Sequence, residues 1–227
     1  MRIAAIVPAA GLGVRLGPGT AKALRDVAGT PLLVHAVRGL WSTSLVEAVV
    51  VAAPPQRTGE FEDVLARGVP DARVHVVGGG VTRQRSVAAG LEAVDSLGPV
   101  DAVLVHDAAR AFVPVAVVER VVAGLRAGSA AVVPVLPVAD TIKRVADEDV
   151  VTGTVDRSTL YAVQTPQGFR LDVLRCAYAE TAVEATDDSA LVEALGVPVT
   201  VVEGSEEAFK VTRPLDLLLA EALLERR

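Results

Sequence analysis

This chain of 227 residues is poor in the side chains that staple or metallate a small protein. Its single cysteine, Cys176, excludes an internal disulfide and suits a reducing compartment. Three scattered histidines beside that one cysteine give no zinc-ligand spacing. Positive charge is in deficit too. The 22 Lys and Arg against 28 Asp and Glu leave a net charge of -6, which argues against general nucleic-acid binding, a task that needs a basic face. No apolar run approaches the roughly eighteen residues of a membrane span. The opening MRIAAIVPAAG has the basic residue, apolar stretch and small residues of a short secretory signal. Its n-region is one arginine, however, and the run passes into a glycine loop that cleavage would destroy. A cytoplasmic protein is the better reading.

Lysine is the scarcest charge. Only Lys22, Lys143 and Lys210 stand among the 22 basic residues. In a chain that uses arginine by default, such positions are candidates for a compact ammonium, which a planar guanidinium does not replace.

What is present reads as one large α/β domain over 1–227, 51% hydrophobic and 22% charged. Nearly continuous Val/Ile-rich runs predict strands at Arg2–Val7, Val46–Ala52, Arg73–Val77, Asp101–His106 and Ala130–Val135. Helical periods between them predict helices at Pro31–Leu40, Gly59–Arg67, Thr82–Asp95 and Pro114–Ala127. This alternation predicts a Rossmann-like, mostly parallel twisted sheet with helices on both faces. Ligands of such sheets bind past the carboxyl ends of the strands, where the strand order reverses.

Leu136–Gln167 breaks the rhythm. It reads as two short strands around the acidic turn Ala146–Asp149, neither apolar enough for a core. A lone hairpin is marginal in water. The expectation is a projecting β-arm, residues 137–160, that packs on a second subunit in a homodimer. Beyond it a helix is expected at Leu171–Ala182, a second at Asp187–Leu195 stopped by Gly196, and a strand at Val199–Glu203. A last helix starts near Pro214, with Leu215, Leu218, Leu219, Ala222 and Leu223 as its inward stripe.

The loop PAAGLGVRLGPGTAK follows the first strand. Gly11, Gly13 and Gly17 suit a backbone that aims N–H groups at phosphate oxygens. The run is no dinucleotide fingerprint, because Leu16 stands where the third glycine belongs, and no Walker loop, because GKS or GKT is missing. Arg15 within the loop and Lys22 beyond it would hold a triphosphate while one bond breaks. Gly78–Gly80 ends a strand and lets the chain pass close to a flat base, Thr82 can cap the next helix, and Ser86 faces the same crevice. Asp107 at the end of DAVLVHD is placed to hold Mg²⁺. Asp187 and Asp188 suit the positive end of a helix.

Pro8-Ala-Ala-Gly-x-Gly-x-Arg15 with Lys22 resembles the nucleotidyltransferases that join an NTP to a phosphorylated small molecule. GGGVTRQRSVAAGL, VHDAARAF, VADTIKRV, TPQGF, TDDSALVEALG and EGSEEAFKVTRPLDL extend the likeness from residue 3 to about residue 220. Together they resemble the 2-C-methyl-D-erythritol 4-phosphate cytidylyltransferases of the non-mevalonate isoprenoid pathway. The resemblance implies transfer of the cytidylyl group of CTP to that acceptor. It implies CTP contacts at Ala9, Ala10, Gly11, Gly13, Gly80, Val81, Arg83, Ser86 and Asp107, with Mg²⁺ on Asp107. It places Arg110, Asp140, Thr141, Arg157, Thr186 and Lys210 around the sugar phosphate, with Thr141 and Arg157 reaching across a dimer. Arg15, Lys22, Arg157 and Lys210 are the implied catalytic set.

Three departures stand out. Ala21 and Ala111 occupy positions where the family usually has proline, and Ala208 one where it usually has asparagine. A ribitol 5-phosphate cytidylyltransferase would share nearly every nucleotide contact. A non-catalytic nucleotide-binding module would bind CTP and release no pyrophosphate.

Overall fold

The computed structural model describes residues 1–11, 21–180 and 185–226. In chain order they form β1 (Ile3–Pro8), β2 (Asp26–Val27), β3 (Thr30–Pro31), α1 (Leu32–Trp41), β4 (Ala48–Ala53), α2 (Thr58–Gly68), β5 (Val74–Gly78) and α3 (Arg83–Val94). Next come β6 (Ala102–Val105), α4 (Val115–Arg126), β7 (Ala131–Pro137), β8 (Ile142–Val145), β9 (Val151–Val155), β10 (Tyr161–Val163) and β11 (Gln167–Arg170). The chain ends with α5 (Leu171–Glu180), α6 (Asp188–Ala194), β12 (Val199–Glu203) and α7 (Pro214–Glu225). The helix expected to run on to Ala182 ends at Glu180 among the described residues, and Ala182 itself lies outside them.

β1 and β4 are buried on both faces, which is why their sequences run apolar without alternating. β1 lies between β4 and β6, with β5 beyond β4, all parallel. The chain builds outward from β1 to β4 and β5, then returns to β1's other side as β6. The strand order therefore reverses at β1, and a crevice opens there past the carboxyl ends.

The two faces have separate cores. On one, Leu33 and Val37 of α1, Phe61 of α2 and Val117 and Val121 of α4 pack on Ile3, Ala5, Val7, Val49 and Val51. On the other, Val87 and Leu91 of α3, Leu174 of α5 and Leu191 of α6 pack on Ala4, Ile6, Val50, Val103 and Phe169. Each fully buried Val, Leu, Ile or Phe adds about 1.5–3 kcal/mol, and the odd–even split along β1 is what lets one strand serve both layers. Gly90 brings α3 hard against β1, since a Cβ there would stand 2.4 Å from Ile6 Cγ2. That approach fixes the height at which the N-terminal end of α3 meets the crevice.

Two features depart from expectation. Antiparallel β11 is inserted between β6 and β7, and antiparallel β10 continues along the same edge of β7, while β12 runs parallel on its other edge. Four residues, QGFR, carry too little pattern to announce a central strand. The inward stripe of α7 is also not the expected one. Leu215, Leu218 and Leu219 are 72%, 62% and 55% exposed, and Ala222 is exposed as well. Of the expected positions only Leu223 faces the cluster of Val27, Leu32, Ala111, Phe112 and Val211, where Leu217, Ala220 and Leu224 join it. The helix is apolar on most sides, so its period alone leaves the rotation open. The lead-in fixes it: Val211 is buried with its N–H on the Ala109 carbonyl at 2.8 Å, and Asp216 Oδ2 ties the helix start to that segment by accepting the Thr212 and Arg213 N–H groups at 2.7 and 2.8 Å.

β8 and β9 form the expected hairpin around a 3-10 turn, Asp147–Asp149. The hairpin pairs with no other strand among the described residues. No helix among those residues is long and apolar enough to cross a membrane.

Candidate active site

A cleft of about 710 Å³ opens at the carboxyl ends of β1, β4, β5 and β6. It brings together ten of the residues singled out from sequence: Ala9, Ala10, Gly11, Lys22, Gly80, Val81, Arg83, Ser86, Asp107 and Lys210. Gly13 and Arg15 lie outside the described residues. Pro54, Pro55 and Gln56 also line the cleft. They follow β4 directly, and the topological rule for strand ends was the only signal for them.

The floor is a close-packed backbone cradle. Gly79 donates its N–H to the Ala53 carbonyl at 2.7 Å. A Cβ at Gly79 would meet Ala10 Cβ and Ser86 Oγ, both at 2.9 Å. Thr82 caps α3 by accepting the Arg85 N–H at 3.1 Å, as its position before the helix suggested. The buried Ser86 hydroxyl, one turn on, accepts the Gly80 N–H at 3.1 Å and stands 3.0 Å from the Thr82 carbonyl oxygen, to which it donates. The result is a slot floored by Ala9–Ala10 packed against Gly79–Gly80, with Val81 93% exposed at its lip.

One carboxylate, Asp107, lines the cleft among the described residues. Arg83 Nε donates to its Oδ1 at 2.9 Å, and Lys210 Nζ stands 2.6 Å from its Oδ2. Burial alone would raise the Asp107 pKa. The charges of Arg83 and Lys210, with the hydrogen bonds they donate, overcome this and hold it well below the usual carboxylate range. The other end of Arg83 reaches Asp188, with Nη2 2.7 Å from Oδ2 as an ion pair whose angles fall short of a hydrogen bond. For Arg83 burial opposes the charge, and the two carboxylates more than offset it, so the guanidinium pKa is raised.

His106 fixes the turn that presents Asp107. Its buried ring sets Nε2 3.1 Å from the Arg110 carbonyl and Nδ1 3.0 Å from Thr165 Oγ1. A carbonyl only accepts, so Nε2 carries the proton and Nδ1 accepts from the Thr165 hydroxyl. Thr165 Oγ1 in turn accepts the Asp107 backbone N–H at 3.0 Å. Burial pushes the His106 pKa down to about 4, which keeps this arrangement neutral near pH 7. The histidine orients its neighbours and is not among the residues that line the cleft.

The segment bearing Lys210 is clamped from several sides. Arg120 donates to the Glu203 and Gly204 carbonyls at 2.8 and 3.1 Å. Gln164 pairs with both backbone groups of Ser205, at 2.8 and 3.0 Å. Arg110 Nη1 donates to the Ala208 carbonyl at 2.7 Å and Nη2 to the Val163 carbonyl at 3.1 Å. Ala208 is fully buried, so a methyl group fills the position where a polar side chain was expected.

Five of the expected residues are not among those lining the cleft: Arg110, Asp140, Thr141, Arg157 and Thr186. Asp140 and Thr141 precede β8, and Arg157 follows β9 in a short 3-10 turn, where it donates to the Ala139 carbonyl. Thr186 is exposed and does not cap α6. That cap is Asp187, whose Oδ1 accepts the Ala190 N–H at 3.1 Å. Of the three lysines, Lys143 stands apart from the cleft: it is exposed on β8 and donates across the hairpin to Thr154 Oγ1 at 2.6 Å.

A mostly parallel sheet whose order reverses at a glycine-cradled crevice, with cations around one carboxylate, defines a nucleotidyltransferase-type α/β domain. The family model for IspD, 2-C-methyl-D-erythritol 4-phosphate cytidylyltransferase, matches residues 3–226. The chain belongs to that family of nucleotidyltransferase enzymes. It is 52% identical over 235 residues to the enzyme of that name from Streptomyces avermitilis, covering 100% of this chain and 93% of that one. It is 53% identical over 226 residues to the one from Saccharopolyspora erythraea, covering 99% and 100%. Among solved structures, that of 2-C-methyl-D-erythritol 4-phosphate cytidylyltransferase from Thermus thermophilus aligns with a TM-score of 0.79 at 40% identity, covering 99% and 100%. That of 4-diphosphocytidyl-2C-methyl-D-erythritol synthase from Anaerococcus prevotii aligns at 0.85 and 28% identity, covering 99% of each chain.

Proposed function

We propose that this chain carries out its family's reaction in the β1–β6 crevice. CTP and 2-C-methyl-D-erythritol 4-phosphate give 4-diphosphocytidyl-2-C-methyl-D-erythritol and pyrophosphate, a step of isoprenoid precursor synthesis. The observation that carries this reading is the meeting of Lys22, Arg83, Asp107 and Lys210 at the open end of the Gly79–Gly80 slot.

Cytosine lies in the slot. Its amino group donates to backbone carbonyls, which distinguishes it from uracil, whose carbonyl there only accepts. Ala9, Ala10, Gly80, Val81 and Ser86 form this subsite. The triphosphate follows Gly11, Gly13, Arg15 and Lys22, with Arg83 on its far side. The acceptor's phosphate oxygen forms a new bond to the α-phosphorus as the bond to the leaving pyrophosphate breaks. That oxygen is already ionised, so no general base is required. The task is to bring two anions together in line, which makes positioning and charge neutralisation the main contributions. Lys22 and Arg15 stabilise charge around the α-phosphate.

Asp107 fits a magnesium ion. Mg²⁺ takes one or two carboxylates and completes its shell with phosphate and water, so one protein carboxylate suffices once an oxygen is released by Lys210 or Arg83. Bound there, the ion supplies charge neutralisation on the phosphates.

Lys210, Thr186, Arg110 and, from a second copy, Thr141 and Arg157 hold the acceptor phosphate, while Asp140 of that copy accepts from the acceptor's hydroxyl groups. Asp140, Thr141 and Arg157 flank the β8–β9 hairpin and are not among the described residues lining this cleft, and the hairpin pairs with no other described strand, which supports a homodimer in which arm 137–160 completes its partner's site. A cytoplasmic location suits a chain with these soluble substrates. The test is product analysis by chromatography after incubation with CTP, Mg²⁺ and each acceptor separately. A diphosphate-linked cytidine product is expected with methylerythritol phosphate. Its formation only with ribitol 5-phosphate, or with neither, would overturn the reading.

A further inference from the structure

Asp188 is a buried carboxylate that this mechanism leaves unused. It stands in the first turn of α6 beside Asp187, yet the two do different work. Asp187 caps the helix, and its Oδ2 takes hydrogen bonds from Gln167 Nε2 at 2.6 Å and Ser189 Oγ at 2.7 Å. Asp188 points inward, with its side chain 1% exposed. Tyr178 Oη donates to its Oδ1 at 2.5 Å, and Arg83 Nη2 stands 2.7 Å from its Oδ2. Burial first, and then the Asp188 charge, push the Tyr178 pKa up, so the phenol stays a donor.

A guanidinium beside a carboxylate favours a two-bond fork. Arg83 does not give Asp107 that fork. Only Nε meets Asp107, and Nη2 is turned to Asp188. Asp188 therefore decides which edge of Arg83 faces the cleft and how much of its charge Asp107 feels. Formal charges along Asp188, Arg83, Asp107 and Lys210 alternate and cancel. The linkage joins α5, through Tyr178, to α6, α3, the end of β6 and the Lys210 segment.

We propose that Asp188, held by Tyr178, is a positioning residue for cytidylyl transfer: it draws one end of Arg83 away from Asp107 and so keeps that carboxylate from being fully tied up. This rests on the reading of Arg83 and Asp107 as triphosphate-side groups.

The test is a double-mutant cycle on the full chain, with CTP, methylerythritol phosphate and Mg²⁺. Asp188→Asn keeps the shape and the oxygen that accepts from Tyr178, and removes the charge. Its kcat should fall about tenfold or more, as losses of outer-shell partners do, while the KM for the acceptor stays within about twofold. Arg83→Lys replaces the two separate donor edges that meet Asp107 and Asp188 with a single ammonium centre and should lose kcat comparably. The double variant should be no worse than the poorer single one. Tyr178→Phe, which keeps the ring, should lose about threefold and serves alongside Asp188→Glu if Asp188→Asn does not fold. A purely structural Asp188 would lower the melting temperature and leave kcat of the folded enzyme unchanged. That result, or fully multiplicative losses in the double variant, overturns the inference. If Arg83→Lys behaves as wild type, the reading of the site fails first, and the two failures are thereby told apart.

Discussion

Lys210 Nζ and Asp107 Oδ2 are 2.6 Å apart, so the lysine assigned to the acceptor and the carboxylate assigned to the metal hold each other directly. Asp107 keeps its second partner, Arg83, on the other oxygen. Removing Lys210 should therefore harm the acceptor side and spare the nucleotide side. Lys210→Ala should reduce kcat/KM for methylerythritol phosphate about a hundredfold, with CTP affinity within about threefold. Steady-state kinetics with calorimetric CTP titration checks this. Collapse of CTP affinity with acceptor use intact would mean that the two subsites are reversed.

Acid should weaken the fold through His106. Its folded-state pKa is pushed down to about 4, against about 6.5 in an unfolded chain. As pH falls below about 6.5 the unfolded chain takes the proton first, so stability drops, until the folded form also protonates near pH 4. Between pH 7 and pH 5 this one residue should cost about 2 kcal/mol. Urea midpoints at the two pH values should differ in the wild type and differ less in His106→Asn. An equal midpoint shift between the two pH values in both proteins would contradict the buried neutral ring.

The slot floor has no room for a methyl group. Gly79→Ala places a Cβ 2.9 Å from both Ala10 Cβ and Ser86 Oγ, and both line the cleft. Overpacking of this kind costs about 1–3 kcal/mol, and displacement of Ser86 should weaken CTP binding about tenfold or more. Thermal melting and CTP titration measure the two effects separately. Lost stability with unchanged CTP affinity would place the base elsewhere.

The arm proposal has its own test. Lys22→Ala and Arg157→Ala should each be nearly inactive alone. Dissociated and remixed in equal amounts, they should regain roughly a quarter of wild-type activity, because each mixed dimer holds one site with both native residues. No recovery, with exchange verified by light scattering and mass, would put Arg157 in its own chain's site.

The legible part of the fold was what repeats locally. The unbroken apolar runs of β1 and β4 and the capped start of α3 at Thr82 announce themselves residue by residue. The crevice followed from them, because strand ends and a glycine cradle are local features. Two things were not local. β11 is four residues long, and its place between β6 and β7 depends on which neighbours it finds, not on its own pattern. α7 is apolar on both sides, so Leu218 could be assigned inward from its period, whereas the buried Val211 lead-in, tied to the helix start by Asp216, turns it outward. Asp188 was visible within TDDSA but read as a helix-end charge. Its partner Arg83 lies 105 positions away, and no spacing rule joins them.

The most direct measurement is pyrophosphate release at saturating CTP and methylerythritol phosphate by wild type and Lys22→Ala, matched for folding by circular dichroism. Neutralising charge beside the cradle is held to be what lets two anions react, so kcat should fall by about a hundredfold or more. A Lys22→Ala enzyme that turns over within a fewfold of wild type would contradict the account.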